Sequence, residues 1–329
     1  MKRNGMVDIY RLLFIFLIMA HHLYLDIPFA SAWVYVEFFF ILSGYFTMKH
    51  YALGVERKSV EEKASETITY TLHKFKRIMP YVVIAVLLEY GSELKIVGFQ
   101  GKRELLSMLE NMVFELCLLS SSGLANAYVA PIWYLSAMFL VFPLFTFMLS
   151  FKEMHKWYYG FLSWFIAALY YGKVGVVPRE HDLLRAFACL WLGVFVYGAS
   201  ETIKQHRKGR CFDIAVTLFE IGSFVLTVIC TGYNTGNGKL IVFAFVIGSS
   251  ALLSGCSLTS KIPSIPFIGE LSMVLFLMHW HVRTTIGRYI ANLAQIHVIV
   301  MYYVISICLS VFLLLAGCMI KKSNGLKDK

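Results

Sequence analysis

Apolar runs long enough to cross a bilayer recur along the whole chain. A membrane-spanning helix needs about 20 mostly apolar residues, and the sequence contains ten candidate runs. Of the 329 residues, 58% are hydrophobic and 15% are charged, whereas about 25% of residues are charged in soluble domains. We therefore predict an all-α, polytopic integral membrane helical bundle that forms a single domain over residues 1–329. The predicted transmembrane helices are 6–25, 33–50, 78–98, 131–150, 157–173, 182–200, 212–231, 239–258, 266–290 and 297–320.

The distribution of lysine and arginine predicts the orientation of these helices. With the N-terminus in the cytoplasm, twenty of the 30 Lys and Arg residues fall in cytoplasmic segments, as the positive-inside rule requires. Both termini are then cytoplasmic, which suits a multi-pass protein of a bacterial cell membrane. The longest cytoplasmic connection is predicted as a polar, basic loop over roughly 50–77. The nine basic residues on the outer side are Lys95, Lys102, Arg103, Lys173, Arg179, Arg185, Lys239, Arg283 and Arg288.

Charge and cysteine content argue against nucleic-acid binding, a metal site and a disulfide framework. The net charge of +10 comes from short basic clusters between apolar runs, so we expect membrane lipids as partners and no nucleic acid. The seven cysteines are scattered without a CxxC pair, so neither a metal site nor a disulfide framework is predicted. The stretch 103–120 has helical apolar spacing interrupted by glutamates, which favours an amphipathic surface or re-entrant helix.

The first helix could be mistaken for a signal peptide, because Lys2 and Arg3 precede an apolar run. Asp8, Arg11 and His22 interrupt that run, and an ordinary signal peptide would not contain them. We therefore predict that the first helix is retained.

Arg11 and His22 lie on one face of this helix. They are eleven residues apart, which is about three turns plus 20°, with a rise of roughly 16 Å. A charge in hydrocarbon costs at least ~2.5–3.5 kcal/mol, so intramembrane ionisable residues are candidates for function. A side chain that snorkels to the headgroups would explain Arg11 alone, but not the histidine on the same face.

The second helix begins with a carboxylate. Glu37 is predicted about one turn below the outer surface, close to the depth of His22, where it would fix the imidazole tautomer and stabilise its protonated form. The alternative is that Glu37 merely lies in the headgroup region. Further along, Ser43 and Gly44 are more typical of close helix packing than of catalysis.

Basic residues cluster before the third helix. Lys74, Lys76 and Arg77 precede Pro80, which suits a first helical turn. Such a cluster would bind phosphates, or it would serve only as a cytoplasmic anchor.

The ninth helix carries three more polar residues near its outer end. It runs outward, so His279 falls at a depth comparable to that of His22, followed by His281 and Arg283. One of the two histidines is also open to a purely structural, hydrogen-bonding role.

Together these segments resemble the acyltransferase-3 family of membrane O-acyltransferases, over nearly the whole chain and in the family's order. Arg11 and His22 fit the family's Arg-x10-His on helix one. Residues 37–45 are similar to its acidic-x-Phe-Phe-x-x-Ser-Gly-aromatic segment. Further similar segments are 77–80 (Arg-Ile-x-Pro), 131–135 (Trp-Tyr-Leu) and 268–280 (Gly-x-x-Ser…Leu-x-His). His281 stands where the family usually has proline, so we expect a straighter outer end of the ninth helix.

The resemblance implies an enzyme that moves an acyl group, usually acetyl from acetyl-CoA, to a hydroxyl of an extracytoplasmic polysaccharide or other envelope glycan, free or lipid-linked. Acetyl-CoA would be a co-substrate, with no permanently bound cofactor. His22 would be the general base, oriented by Glu37, and His279 or Arg283 would stabilise the oxyanion. The CoA phosphates would be bound by Arg11, Lys74, Lys76 and Arg77. Further acceptor or oxyanion candidates are Ser43, Trp133, Trp280 and His281.

Other functions also fit intramembrane charges. A transporter or flippase for lipid-linked glycans would use them in a cavity, but it would be expected to show two-fold internal repeats, and none is visible. A different class of membrane acyltransferase would not need the Arg11–His22 pair. A sensor that keeps the fold without the chemistry would not need to keep both residues.

Overall fold

The computed structural model describes residues 4–23, 29, 31–54, 59–97, 101–124, 127–175, 181–233, 238–289 and 295–325, with the backbone alone at 95–97, 286–289, 295–296 and 320–325. Over these residues the fold is all-α, because a helix satisfies its own backbone hydrogen bonds in a bilayer. The helices are α1 (Gly5–His22), α2 (Val36–Leu53), α3 (Val60–Lys76), α4 (Met79–Val97), α5 (Lys102–Leu116), α6 (Ile132–Leu149), α7 (His155–Trp157), which continues through a π-helical segment (Tyr158–Leu162) into α8 (Ser163–Lys173), α9 (Asp182–Gln205), α10 (Gly209–Gly232), α11 (Gly238–Leu253), α12 (Pro266–Tyr289) and α13 (Gln295–Gly325).

Several of these helices are long and apolar enough to cross a membrane. In the described part of the chain they are α1, α6, α9, α10 and residues His297–Met319 of α13, and α11 is apolar but shorter. The remaining predicted spans also coincide with helices, at α2, α4, α7–α8 and α12. The protein is therefore a helical, multi-pass membrane protein. That ten helices cross the bilayer and that both termini are cytoplasmic stay predictions.

The segment predicted as a polar loop over 50–77 instead contains the helix α3. Ser59 caps its first turn, because its hydroxyl accepts from the Glu62 amide at 3.2 Å while the Glu62 carboxylate accepts from the Ser59 amide at 2.7 Å. Thr67, Thr71 and Phe75 are buried at four-residue spacing, and α3 packs against α6. The helix was missed because two of these three buried residues are threonines, which do not register as an apolar stripe.

Helices α2 and α9 pack closely along their length through two glycines. A Cβ added to Gly44 would lie 2.1 Å from the carbonyl oxygen of Leu190, and one added to Gly193 would lie 2.3 Å from that of Ile41. Small residues allow helix backbones to approach in this way. The packing role predicted for Gly44 is therefore confirmed.

Helix α1 packs against α12, and this interface positions the site. Helix α12 continues through His281 to Tyr289, as expected for a position without proline. Helix α6 packs on α9, and α2 contacts α6, so the core surrounds the face that α1 and α12 share.

Candidate active site

The facing sides of α1 and α12 enclose a narrow cavity near Arg11. Arg11 and Ile15 are four residues apart on α1, and Ser272 and Phe276 are four residues apart on α12, so each pair lies on one helix face. All four line the cavity. Its remaining lining residues are Val36, Phe39, Tyr134 and Met273. Arg11, in the N-terminal half of α1, therefore lies at an internal cavity between helices.

Two histidines meet further along the same pair of helix faces. The rings of His22 and His279 are stacked, with centroids 5.3 Å apart and an interplanar angle of 29°. Trp280 contacts His22 edge-on at 5.3 Å, and Phe276 links the cavity to His279, with 6.0 Å between their rings. The structure thus brings His22, His279 and Trp280 together, one to three turns beyond the Arg11 cavity.

The hydrogen bonding of His279 defines its neutral form. Its Nδ1 lies 3.1 Å from the carbonyl oxygen of Leu275, and since a carbonyl only accepts, Nδ1 carries the proton. The ring is fully buried, and its Nε2 has no hydrogen-bond partner among the described residues. Nε2 therefore carries the lone pair and is the basic atom of this side chain.

Trp280 is held against His22 by a chain of contacts from α5. Its Nε1 donates to the carbonyl oxygen of Tyr128 at 2.8 Å. The amides of Tyr128 and Val129 donate to the carboxylate of Glu115, the latter at 3.2 Å. Burial raises the pKa of Glu115 to about 7. Arg283 lies over the Trp280 ring, 4.7 Å from its centroid.

His281 and His279 both lie on α12, but their side chains contact different groups. Its Nδ1 donates to Glu89 of α4 at 3.0 Å, and the Thr284 hydroxyl donates to the same carboxylate oxygen at 2.9 Å. The two histidines thus differ in environment. His281 joins α12 to α4, whereas His279 faces the stacked His22 ring.

The prediction that Glu37 orients His22 is wrong. Nε of Arg185 donates to one Glu37 carboxylate oxygen at 2.7 Å, and Cys189 donates to the other at 2.8 Å. Glu37 and Arg185 are fully buried, and the guanidinium lies between the rings of Trp33 and Trp133, 5.0 Å from each centroid. Arg185, counted from the sequence at the outer side, is instead an internal partner of Glu37.

The prediction was wrong because it placed Glu37 at the depth of His22. The turn Ala32–Tyr35, which leads into α2, lies against α1, and the rings of Tyr35 and Phe38 contact that of Phe14 with centroids 4.7 and 4.8 Å apart. Phe14 precedes His22 by eight residues, or roughly 12 Å along the axis. Glu37 therefore lies well below His22, because α2 begins inside the bundle rather than at its surface.

The three basic residues before α4 have different surroundings. Lys74 of α3 lies over the ring of Phe142, 4.1 Å from its centroid, and burial lowers its pKa to about 7. Arg77 forms an ion pair with Glu270 at the start of α12, and Lys76 is exposed. The donor-binding role predicted for these residues and Arg11 stays a prediction.

Tyr134, rather than its predicted neighbour Trp133, is the residue of this segment that lines the cavity. Tyr134 is buried, lines the Arg11 cavity and packs on Phe40 with ring centroids 4.5 Å apart. Ser43 lies beside its hydroxyl, whereas Trp133 covers Arg185. Adjacent helical residues project about 100° apart, so the Trp-Tyr-Leu segment alone does not indicate which ring faces the cavity.

These features define a class: a multi-pass helical membrane protein with a polar site inside its helix bundle. In that site two histidines stack and an arginine lies at an internal cavity. Residues 4–315 match the family model described as the acyltransferase domain of the acyltransferase-3 type. The chain belongs to this family, and it is accordingly a membrane acyltransferase. No curated protein and no solved structure gives a significant match.

Proposed function

We propose that this protein transfers an acetyl group from acetyl-CoA to a hydroxyl of an extracytoplasmic envelope glycan, free or lipid-linked, in the bacterial cell membrane. The observation that carries the proposal is the stacking of His22 on His279 at 5.3 Å, on the same helix faces that enclose the Arg11 cavity. Acyl transfer to a hydroxyl needs a base beside the hydroxyl. It also needs a separate cationic region for the CoA phosphates.

The donor would occupy the end of the α1–α12 face at which Arg11 lies. A guanidinium binds two phosphate oxygens with two parallel hydrogen bonds, and Lys74, Lys76 and Arg77 add positive charge near the start of α4. The cavity has a volume of about 10 Å³, room for about one water molecule, so α1 and α12 must separate to admit the pantetheine arm. That arm would pass Ser272 and Phe276 on its way to the histidines.

At the histidines, His22 would act as the general base. It takes the proton of the acceptor hydroxyl while the oxygen attacks the thioester carbonyl. The C–S bond then breaks, and the proton passes from His22 to the leaving CoA thiolate. Arg185 and Cys189 engage Glu37, so the titratable neighbour of His22 is His279, whose ring stacks on it and whose Nε2 carries a lone pair. A lone pair does not donate to an oxyanion, so Arg283 is the donor that we propose for it.

The test uses the full-length protein in lipid nanodiscs with radiolabelled acetyl-CoA and envelope glycan from a deletion strain. We expect His22→Ala and Arg11→Ala to abolish labelling of the glycan while membrane insertion stays normal. The matched controls are His206→Ala and Lys239→Ala. Both side chains are exposed, and they belong to the end of α9 and the start of α11 rather than to α1 or α12. Unchanged acetylation in either site variant would overturn the proposed mechanism.

The same assay separates direct transfer from a covalent intermediate. Without acceptor, an acyl-histidine route leaves one label on the protein that is lost on adding glycan, with ping-pong kinetics. Direct transfer leaves the protein unlabelled.

A further inference from the structure

An apolar groove opens between α9 and α10, and it shares no lining residue with the Arg11 cavity. Its volume is about 690 Å³. Both α9 and α10 pack on α11, so α11 forms the floor of the groove. Among its lining residues the polar side-chain groups are the Ser250 hydroxyl, which donates to the Val246 carbonyl at 2.7 Å, and the indole N–H of Trp164. The groove therefore offers hydrocarbon contact and hardly any hydrogen bonding.

The length of the groove matches one leaflet. Its lining runs from Phe195 to Ile203 on α9 and from Phe212 to Phe219 on α10, which is about 12 Å and 10 Å at 1.5 Å per residue. Both helices are long enough to span the membrane, so the short connection between them lies at a membrane surface. The groove begins beside that connection and ends within a single leaflet, whose hydrocarbon is ~15 Å deep. It therefore fits one acyl chain, and a chain that crosses to the other leaflet would exceed it.

The mouth of the groove is positively charged. Lys204 pairs with Glu201 at 3.3 Å, and Arg207 holds both oxygens of Asp213 at 2.8 and 2.6 Å. Lys208 and Arg210 in the same connection are exposed, and neither has an ion-pair partner among the residues that the structure describes. Two exposed cations without an ion-pair partner among the described residues thus lie in the connection next to the mouth of the groove.

We propose that this groove binds one molecule of an anionic glycerophospholipid. One acyl chain lies between α9 and α10 on α11, and the lipid phosphate contacts Lys208 and Arg210. Cations beside the membrane surface attract anionic headgroups, and the apolar walls gain from excluding water and filling the gap between the helices. This site is independent of the proposed acetyl transfer.

The experiment titrates the full-length protein in detergent micelles with dioleoyl phosphatidylglycerol or dioleoyl phosphatidylcholine and counts bound lipids by native mass spectrometry. We expect the parent to bind the anionic lipid at least tenfold more tightly than the zwitterionic one. Lys208→Gln with Arg210→Gln should remove that preference. Ala215→Phe should remove binding of both lipids at the site, because Ala215 lines the groove and the added ring would fill it. Ala215 is exposed, so the ring should not disturb the packed core.

Two matched controls accompany these variants. Lys102→Gln with Arg103→Gln removes two exposed charges from α5, and Leu218→Phe places a ring on α10 outside the groove lining. Both should bind lipid as the parent does. Equal binding of the two lipids by the parent would overturn the proposal. So would an undiminished preference in the Lys208/Arg210 variant, or undiminished binding in Ala215→Phe.

Discussion

Glu37 of α2 and Arg185 of α9 form an ion pair inside the bundle, with 2.7 Å between Oε1 and Nε. Both side chains are fully buried. The guanidinium lies between two tryptophan rings, so the pair joins α2, α6 and α9 below the level of the histidines. Its geometry indicates a structural role.

Removing one partner of this pair should destabilise the protein and leave the pH dependence of catalysis unchanged. Glu37→Gln leaves an uncompensated buried charge on Arg185, a change that typically costs about 3–5 kcal/mol. We expect a lower midpoint of thermal unfolding, measured in micelles, and recovery of part of the loss in the double variant Glu37→Leu, Arg185→Met. A displaced pH–rate profile for Glu37→Gln would show instead that this carboxylate acts on the catalytic base.

The close contact of α2 and α9 gives a second prediction. Gly44→Ala would put a Cβ 2.1 Å from the Leu190 carbonyl oxygen, so the helices must separate and the ion pair above must lengthen. We expect a loss of at least ~2 kcal/mol, in the range of overpacked cores, with reduced activity. Gly222→Ala on α10 is the control, because an added Cβ there meets nothing within 4 Å. It should be neutral or stabilise by up to ~1 kcal/mol through helix propensity. Equal effects of the two variants would contradict the packing argument.

The positions of the helices could be predicted because each depends on a local apolar run. Helix α3 escaped because its buried face is mostly threonine, Thr67 and Thr71. The amphipathic helix predicted over 103–120 is present as α5 (Lys102–Leu116). Local patterns thus predict where a helix forms more reliably than which face it buries.

The site could be predicted only in part, since its partners are far apart in sequence. Similar depths for His22 and His279 followed from the order of the helices, but their contact depends on α1 packing against α12, which no local pattern contains. The depth of Glu37 depends on the packing of Tyr35 and Phe38 against α1, and its partner Arg185 is 148 residues away. Such pairings are decided by tertiary packing.

Lys74 gives a prediction about donor binding. Burial lowers its pKa to about 7, so at pH 8 most of this side chain is neutral. A bound phosphate favours the ammonium form and raises that pKa, so CoA binding at pH 8 should take up a large part of one proton. Titration calorimetry in two buffers of different ionisation enthalpy measures the uptake. Lys74→Arg, which stays charged, should bind CoA without it. The same uptake in this variant would rule out Lys74 as a donor ligand.

Glu115 connects the pH dependence of stability to the position of Trp280. Burial raises its pKa from 4.5 to about 7, so between these values the folded protein holds a proton that the unfolded chain has lost. Stability should therefore fall as the pH rises from 4.5 to 7, by on the order of 3 kcal/mol. Glu115→Gln keeps a carbonyl oxygen for the amides of Tyr128 and Val129 and removes the titration. Its thermal midpoint should change little over this range.

Glu110→Gln on the same helix is the matched control, because Glu110 is exposed and its removal should leave the slope of the parent intact. At pH 8 the Gln variant should also hold Trp280 in place, since Tyr128 still accepts from its indole. Acyl transfer should then be at or above the parental rate. Glu115→Ala, which leaves both backbone amides without their acceptor, should lower it. A parental slope in Glu115→Gln would mean that another group titrates in this window and that the buried Glu115 is already ionised in the folded protein.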